Sequence, residues 1–197
     1  MSKVPASPLR RVAAWLLDYL LIAAYLILLT AASFALRASP LRAGFDGALS
    51  RPATAEVLGF LLLTLPVVLY FAIYEASPLE ATLGKRALGL AVVRLDGCRL
   101  SIWRALLREA VRFLPWELSH ALLWRVALSA DRRGLPFWIA VGYGVVYALV
   151  LLYLATLFIG SRHRTVYDRL AGTIVITTDQ PRIGPDDGHQ HDQRVRR

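Results

Sequence analysis

One cysteine, Cys98, and two lysines, Lys3 and Lys85, stand in a chain of 197 residues. A lone cysteine rules out an intrachain disulfide and a Cys-x-x-Cys centre. Charge is scarce as well, at 19% of residues, where a soluble domain carries about a quarter. There is no glycine-rich phosphate loop, no Gly-x-Ser-x-Gly elbow and no zinc-ligand spacing, so nothing points to a cofactor, a bound metal or an enzyme. What is abundant is apolar: 56% of the chain is hydrophobic, against about 45–50% in soluble domains. The excess lies in long runs, which argues for membrane spans and against disorder or a nucleic-acid-binding domain. The net charge of +9 is carried almost wholly by arginine. In a membrane protein such an excess marks the cytoplasmic face, beside anionic headgroups.

A crossing takes about 20 mostly apolar residues. Residues 12–36 qualify, with Asp18 as their one charge, and are read as a retained anchor rather than a cleaved signal. Residues 54–75 qualify, with Pro66 as a kink, and so do residues 135–160. The stretch from Ser101 to Ala130 reads differently. Arg104, Arg108 and Arg112 recur every four residues on one helical face, as in a basic helix lying among lipid headgroups. Pro115 interrupts it, and 113–130 continues as an apolar helix carrying Glu117, His120 and Arg125. This polar segment is either a span facing the bundle interior or a re-entrant helix. Arginine is concentrated before the first span, after the second and after the last, so the positive-inside rule places both termini in the cytoplasm. An even number of crossings follows, and four is the expectation.

An internal repeat aligns Tyr70–Val93 with Tyr153–Ile176 at a constant offset. Tyr70, Thr82, Arg86, Gly89 and Val92 meet Tyr153, Thr165, Arg169, Gly172 and Val175, and Lys85 meets Asp168. Asp96-Gly97 between Leu90–Leu95 and Cys98–Trp103 signals a β-hairpin over 89–103, with Arg94 opposite Arg99, both facing either water or else lipid phosphate or an acidic partner. A third strand is expected at 172–178, completing a small cytosolic three-stranded sheet. The fold class is thus all-α and polytopic, as one membrane domain over 8–180, with a disordered polar tail at 181–197.

A carboxylate inside a span costs several kcal/mol unless it is protonated, paired or wet. Arg11 lies two turns before Asp18 on the same face. One reading of the pair is a structural salt bridge. The other is a proton or cation site whose aspartate is loaded and released. Asp168 is read as a helix-terminal or inter-repeat salt bridge with Lys85 or Arg11. Glu117 and His120 share a helix face, but a metal site of that type needs a second Glu-x-x-His, so a hydrogen-bonded polar pair is expected there.

R-V-A-A-W-L-L-D at 11–18 resembles the arginine-then-aspartate signature of the RDD family of bacterial membrane proteins. T-L-G-K-R-A-L-G-L-A-V-V-R-L-D-G at 82–97 looks like the family's central loop, W-R-A-L-L-R-E at 103–109 like its following helix, and Y-D-R-L-A-G-T-I-V-I at 167–176 like its terminal aspartate segment. The resemblance spans roughly residues 8–178 and makes Arg11, Asp18 and Asp168 the name-giving trio. It implies a multispanning protein of the bacterial cytoplasmic membrane, and transport, including cation/proton antiport, is the activity suggested for the family. W-E-L-S-H at 116–120 and the long charged tail depart from the pattern. The expectation is a small transporter using Asp18, with Glu75, Glu117 and His120 as relay members and a homo-oligomer to enclose the pathway. The alternative is a scaffold that grips anionic lipid through Arg104, Arg108 and Arg112 and docks a partner protein on its sheet.

Overall fold

The computed structural model describes residues 4–127 and 136–178. The chain forms α1 (Pro8–Arg37), α2 (Arg42–Leu49), α3 (Pro52–Gly59), a π-helical turn (Phe60–Thr64), α4 (Leu65–Ala76), α5 (Leu83–Ala87), β1 (Leu90–Arg94), α6 (Ile102–Ala127), α7 (Phe137–Phe158), α8 (Val166–Leu170) and β2 (Thr173–Thr177). Three helical stretches are long and apolar enough to cross a membrane: α1, Ala53–Ala76 and α7. Their outward side chains, among them Leu20, Ile27, Leu28, Phe34, Leu62, Leu151 and Phe158, are exposed. Apolar surface on this scale has no soluble explanation and marks lipid-facing helices. The polar tail from 181, and residues 128–130 of the polar segment, lie outside the described residues.

The expected basic helix and polar segment are one helix. α6 runs unbroken through Pro115 for 26 residues, about 39 Å at 1.5 Å per residue. It starts beside the sheet, where Ala105 packs with Leu90, Val92 and Val175, and ends where Arg125 meets Glu56 at 3.4 Å. It is the central helix, packed on α3, α4, α7 and α8.

A proline inside a helix cannot donate to the carbonyl four residues back. Pro115 frees the Val111 carbonyl, and the Tyr153 hydroxyl of α7 donates to it at 2.6 Å. Pro66 frees the Leu62 carbonyl, and the Tyr25 hydroxyl of α1 donates to it at 2.6 Å. The π-helical turn ends at Thr64, two residues before Pro66, the kind of local irregularity that accompanies a proline in a helix. Each proline is thus tolerated because a tyrosine on a neighbouring helix replaces the lost N–H.

Of the expected hairpin over 89–103, the turn closes, with the Gly97 N–H donating to the Arg94 carbonyl and the Arg94 N–H to the Cys98 carbonyl, each at 2.9 Å, but no second strand follows. The Asp96-Gly97 turn is made: Gly97 has φ +82°, and the Asp96 carboxylate accepts from the Cys98 N–H at 2.9 Å and binds Arg94 at 2.7 Å. The chain then leaves the sheet. Ser101 accepts from the Arg104 N–H and starts α6, because the good helix formers after it outweigh a second strand. Arg94 therefore faces Thr173 rather than Arg99. Among the described residues the sheet has two strands, β1 and β2, paired antiparallel. Its outer edges are taken by the chain itself. Ala6 donates to the Val175 carbonyl at 2.9 Å, Thr177 to the Val4 carbonyl at 3.0 Å and Val92 to the Glu80 carbonyl at 2.7 Å. Residues 4–6 and β2 therefore lie at one end of the bundle.

The repeat is visible in the backbone. Thr82 caps α5 and Thr165 caps α8. Gly89 (φ +60°) and Gly172 (φ +66°) turn out of the two short helices into the strands. The register sets Val92 directly opposite Val175, the residues that the repeat equates. The two copies therefore meet about a local two-fold axis through that pair.

Candidate functional site

The first turn of a helix leaves backbone N–H groups without intrahelical acceptors, and a carboxylate there is stabilising. In the second copy the chain provides this acceptor locally. Asp168 lies three residues after Thr165 in a capping box, and its Oδ2 accepts from the Thr165 N–H at 3.1 Å and the Thr165 hydroxyl at 2.9 Å. In the first copy that position is Lys85. There the carboxylate comes from α1: Asp18 accepts from the Gly84 N–H at 2.8 Å, the Thr82 hydroxyl at 2.6 Å and the Tyr70 hydroxyl at 2.9 Å. Asp18 thus does for α5 from another helix what Asp168 does for α8 from its own. The approach is close. A Cβ on Gly84 would lie 2.3 Å from the Ala14 carbonyl oxygen and 2.9 Å from Asp18 Cγ, so only glycine fits.

The anticipated Arg11–Asp18 salt bridge is absent. Asp18 is held by three neutral donors, and Arg11 reaches Asp168, Nη2 to Oδ2 at 2.6 Å. The other Arg11 nitrogen donates to the His163 carbonyl. Two turns of separation put Arg11 near the sheet end, beside α8, while Asp18 points at α5. Of the two partners expected for Asp168, the structure selects Arg11. Lys85 instead binds Glu75, Nζ to Oε1 at 2.7 Å.

The arginine stripe on α6 is also reassigned. Arg104 is exposed, but Arg108 is 1% exposed and is the hub of an ion network. Its Nη1 meets Glu75 Oε2 at 2.6 Å, its Nε meets Asp168 Oδ1 at 3.1 Å, and it also binds Glu109. Arg112 binds Glu109 at 3.0 Å and stacks over the Phe71 ring at 4.2 Å. The chain Arg11–Asp168–Arg108–Glu75–Lys85, with Glu109 and Arg112, links α1, α4, α5, α6 and α8. Glu75, Glu109 and Asp168 are fully buried. Desolvating such charges costs several kcal/mol each and is offset only when every member is paired. Burial alone would raise the Asp168 carboxyl, but Arg11 and Arg108 outweigh it and hold the group below the usual carboxylate range. Glu109 goes the other way. Burial and the neighbouring Glu75 raise its carboxyl despite Arg112 and Arg108. Burial, with Arg112 and Arg108, lowers the Lys85 ammonium despite Glu75.

Glu117 and His120 do not pair. Glu117 accepts from Thr64 at the π-helical turn, and His120 packs edge-on against Trp116 at 4.6 Å. Both lie toward the far end of α6, away from the network, so the relay expected from Glu75, Glu117 and His120 is not contiguous. Among the described residues no cluster of metal-ligating side chains is found.

Above the network opens a cavity of about 610 Å³, flanked by α1, α6 and α7. Arg11, Lys85, Arg108 and Arg112 line it, with Trp15, Tyr19, Phe113, Trp116, Val150 and Leu154 on its walls. The sequence reading did not assign Glu109, Thr82 or Tyr70 to the site. A model described as RDD family matches residues 5–172. No curated protein matched the chain.

Proposed function

We propose, from the premise that the chain belongs to the RDD family, that it is a small proton-coupled transport protein of the membrane whose working site is the ion network beneath this cavity. One observation carries the reading: two fully buried carboxylates, Glu75 and Glu109, converge on the single guanidinium of Arg108. Like charges sharing a buried site cannot both ionise freely, so one of the two holds a proton far more readily than an isolated carboxylate. Glu109 is that group. The charges facing it are Arg108 and Arg112 on α6, Glu75 on α4 and Lys85 on α5. Asp18 has a structural task instead, since it holds the start of α5 through Gly84 and Thr82.

In this reading α6 supplies the fourth crossing with Phe113–Ala127, which packs on its neighbours along one side and leaves Leu114, Leu118 and Leu123 exposed on the other, and both termini are cytoplasmic. A homo-oligomer helps to enclose the pathway. The scaffold alternative finds less support, because the sheet edges that a partner strand would join are already occupied by residues 4–6 and Glu80. The test is proton-driven flux of Na+, K+ and Li+ in proteoliposomes. Glu109→Gln should abolish coupling, and Asp18→Asn should lower folded yield while flux per folded molecule persists. Unchanged coupling in the Glu109 variant would overturn the mechanism.

A further inference from the structure

Charge in the network is segregated. All four ionic side chains that line the cavity are cations: Arg11, Lys85, Arg108 and Arg112. The three carboxylates that partner them, Glu75, Glu109 and Asp168, are not among the lining residues and sit behind the cations. With all three carboxylates ionised the network is positive by one charge, and by two when Glu109 holds its proton, with the cations on the side of the cavity. Hydrogen-bonding capacity is left over there as well. The Lys85 ammonium has three N–H groups and makes one side-chain bond, to Glu75. The Arg112 guanidinium has five and makes one, to Glu109.

The walls have a different character. Trp15, Phe113, Trp116, Val146, Val150 and Leu154 are apolar or aromatic, and they belong to helices whose outer faces meet lipid. α1 and α7 flank the cavity without packing along each other, so it has a side opening toward the bilayer. A volume of about 610 Å³ lies within the roughly 300–1,000 Å³ of sites that hold ligands. An anionic floor ligand with a hydrocarbon body satisfies both halves of this lining, and basic pockets between membrane helices bind phospholipid headgroups for the same reason.

We infer that the cavity between α1, α6 and α7 is a binding site for one anionic phospholipid, its phosphate against Arg11, Lys85 and Arg112 and its acyl chains leaving between α1 and α7. The inference rests on the cavity being the working site and names the class of ligand that it holds. This contact is internal to the bundle and distinct from a headgroup-facing arginine stripe, since Arg108 is buried and the lining cations come from three helices.

The test uses the full chain in phosphatidylcholine nanodiscs doped with phosphatidylglycerol, with retained lipid counted by native mass spectrometry. One phosphatidylglycerol should be kept in preference to phosphatidylcholine. Two variants should each weaken that retention about tenfold, the scale of one lost charge contact or a blocked pocket. The first is the double variant Arg112→Gln with Glu109→Gln, which removes one lining cation together with the carboxyl it binds and leaves no ionised Glu109 unpaired. The second is Val150→Trp, which fills the cavity from its apolar side and leaves the network intact. Glu109→Gln alone should keep the lipid, because every cation that lines the cavity remains. Since the same single variant should lose proton coupling, failure of the transport reading and failure of the lipid site give different results. Equal retention of phosphatidylcholine, or unchanged retention in Val150→Trp, would overturn the lipid site. Displacement of phosphatidylglycerol by inorganic phosphate would assign the floor to a free anion instead.

Discussion

Replacing Asp168 by asparagine removes one charge from a site that holds two guanidinium partners. Asp168 accepts from Arg11 at 2.6 Å, Arg108 at 3.1 Å and the Thr165 N–H and hydroxyl at 3.1 and 2.9 Å. An asparagine keeps one acceptor oxygen and presents an NH2 group to donors. Arg11 is then left buried without a counter-charge, and breaking a buried pair in this way costs about 3–5 kcal/mol. Arg11→Gln leaves the converse defect, but Arg108 still neutralises Asp168, so its cost should be smaller, about 2–3 kcal/mol. The double variant removes both unpaired charges. Its cost should fall short of the sum by about 1–3 kcal/mol, the coupling of residues in direct contact. The assay is thermal or denaturant unfolding of the purified protein in nanodiscs, followed by tryptophan fluorescence, for the wild type, both single variants and the double. Additivity within about 0.5 kcal/mol would show that Arg11 and Asp168 do not meet and would refute the network.

Arg104→Gln should change stability by less than about 0.5 kcal/mol while Arg108→Gln costs at least about 3 kcal/mol; a headgroup-binding stripe would make the two alike, as melting curves in detergent would reveal. Tyr25→Phe and Tyr153→Phe should each cost about 1–2 kcal/mol by leaving a proline-freed carbonyl unpaired, and the Tyr25 effect should shrink when Pro66→Ala restores the N–H, as a double-mutant cycle would show. Gly84→Ala should prevent accumulation of folded protein, because the new Cβ meets the backbone of α1 at 2.3 Å, whereas Gly142→Ala should be tolerated, since it meets only the movable Leu122 side chain; size-exclusion yields separate the two. Stability should also depend on pH at both ends. The lowered Asp168 carboxyl stabilises the fold above its unfolded value of about 3.9, and this contribution is lost as pH falls toward the folded value. The raised Glu109 carboxyl gives stability that is full below about 4.3 and is lost as pH rises through its folded value, so Glu109→Gln should flatten the upper limb alone.

The sequence shows the apolar spans because lipid enforces a composition that no local competition can disguise. It shows the repeat because Thr82, Gly89, Thr165 and Gly172 are cap and turn residues whose roles are local. It misleads at α6. A stripe of arginines at four-residue spacing looks the same whether it faces phosphate or buried carboxylates, and the partners that decide, Glu75 and Asp168, lie far away in the chain. A balance of acidic against basic residues at the sheet end would have hinted at pairing, since Glu75, Glu109 and Asp168 all sit there. The hairpin fails for a related reason: the Asp-Gly turn forms as read, but the helix propensity after Ser101 outweighs the strand pattern. Asp18 is identifiable as a special residue from its burial in a span, yet its partner is the start of α5 and not the nearby Arg11, because the lysine at position 85 leaves that helix without a carboxylate of its own.

Infrared titration of the carboxylic C=O band, in the wild type and in Glu109→Gln and Asp18→Asn, tests the buried network most directly. A protonated-carboxyl band that persists above about pH 4.3, disappears in Glu109→Gln and survives in Asp18→Asn is the predicted result. A band that vanishes with Asp18 and ignores Glu109 would contradict it.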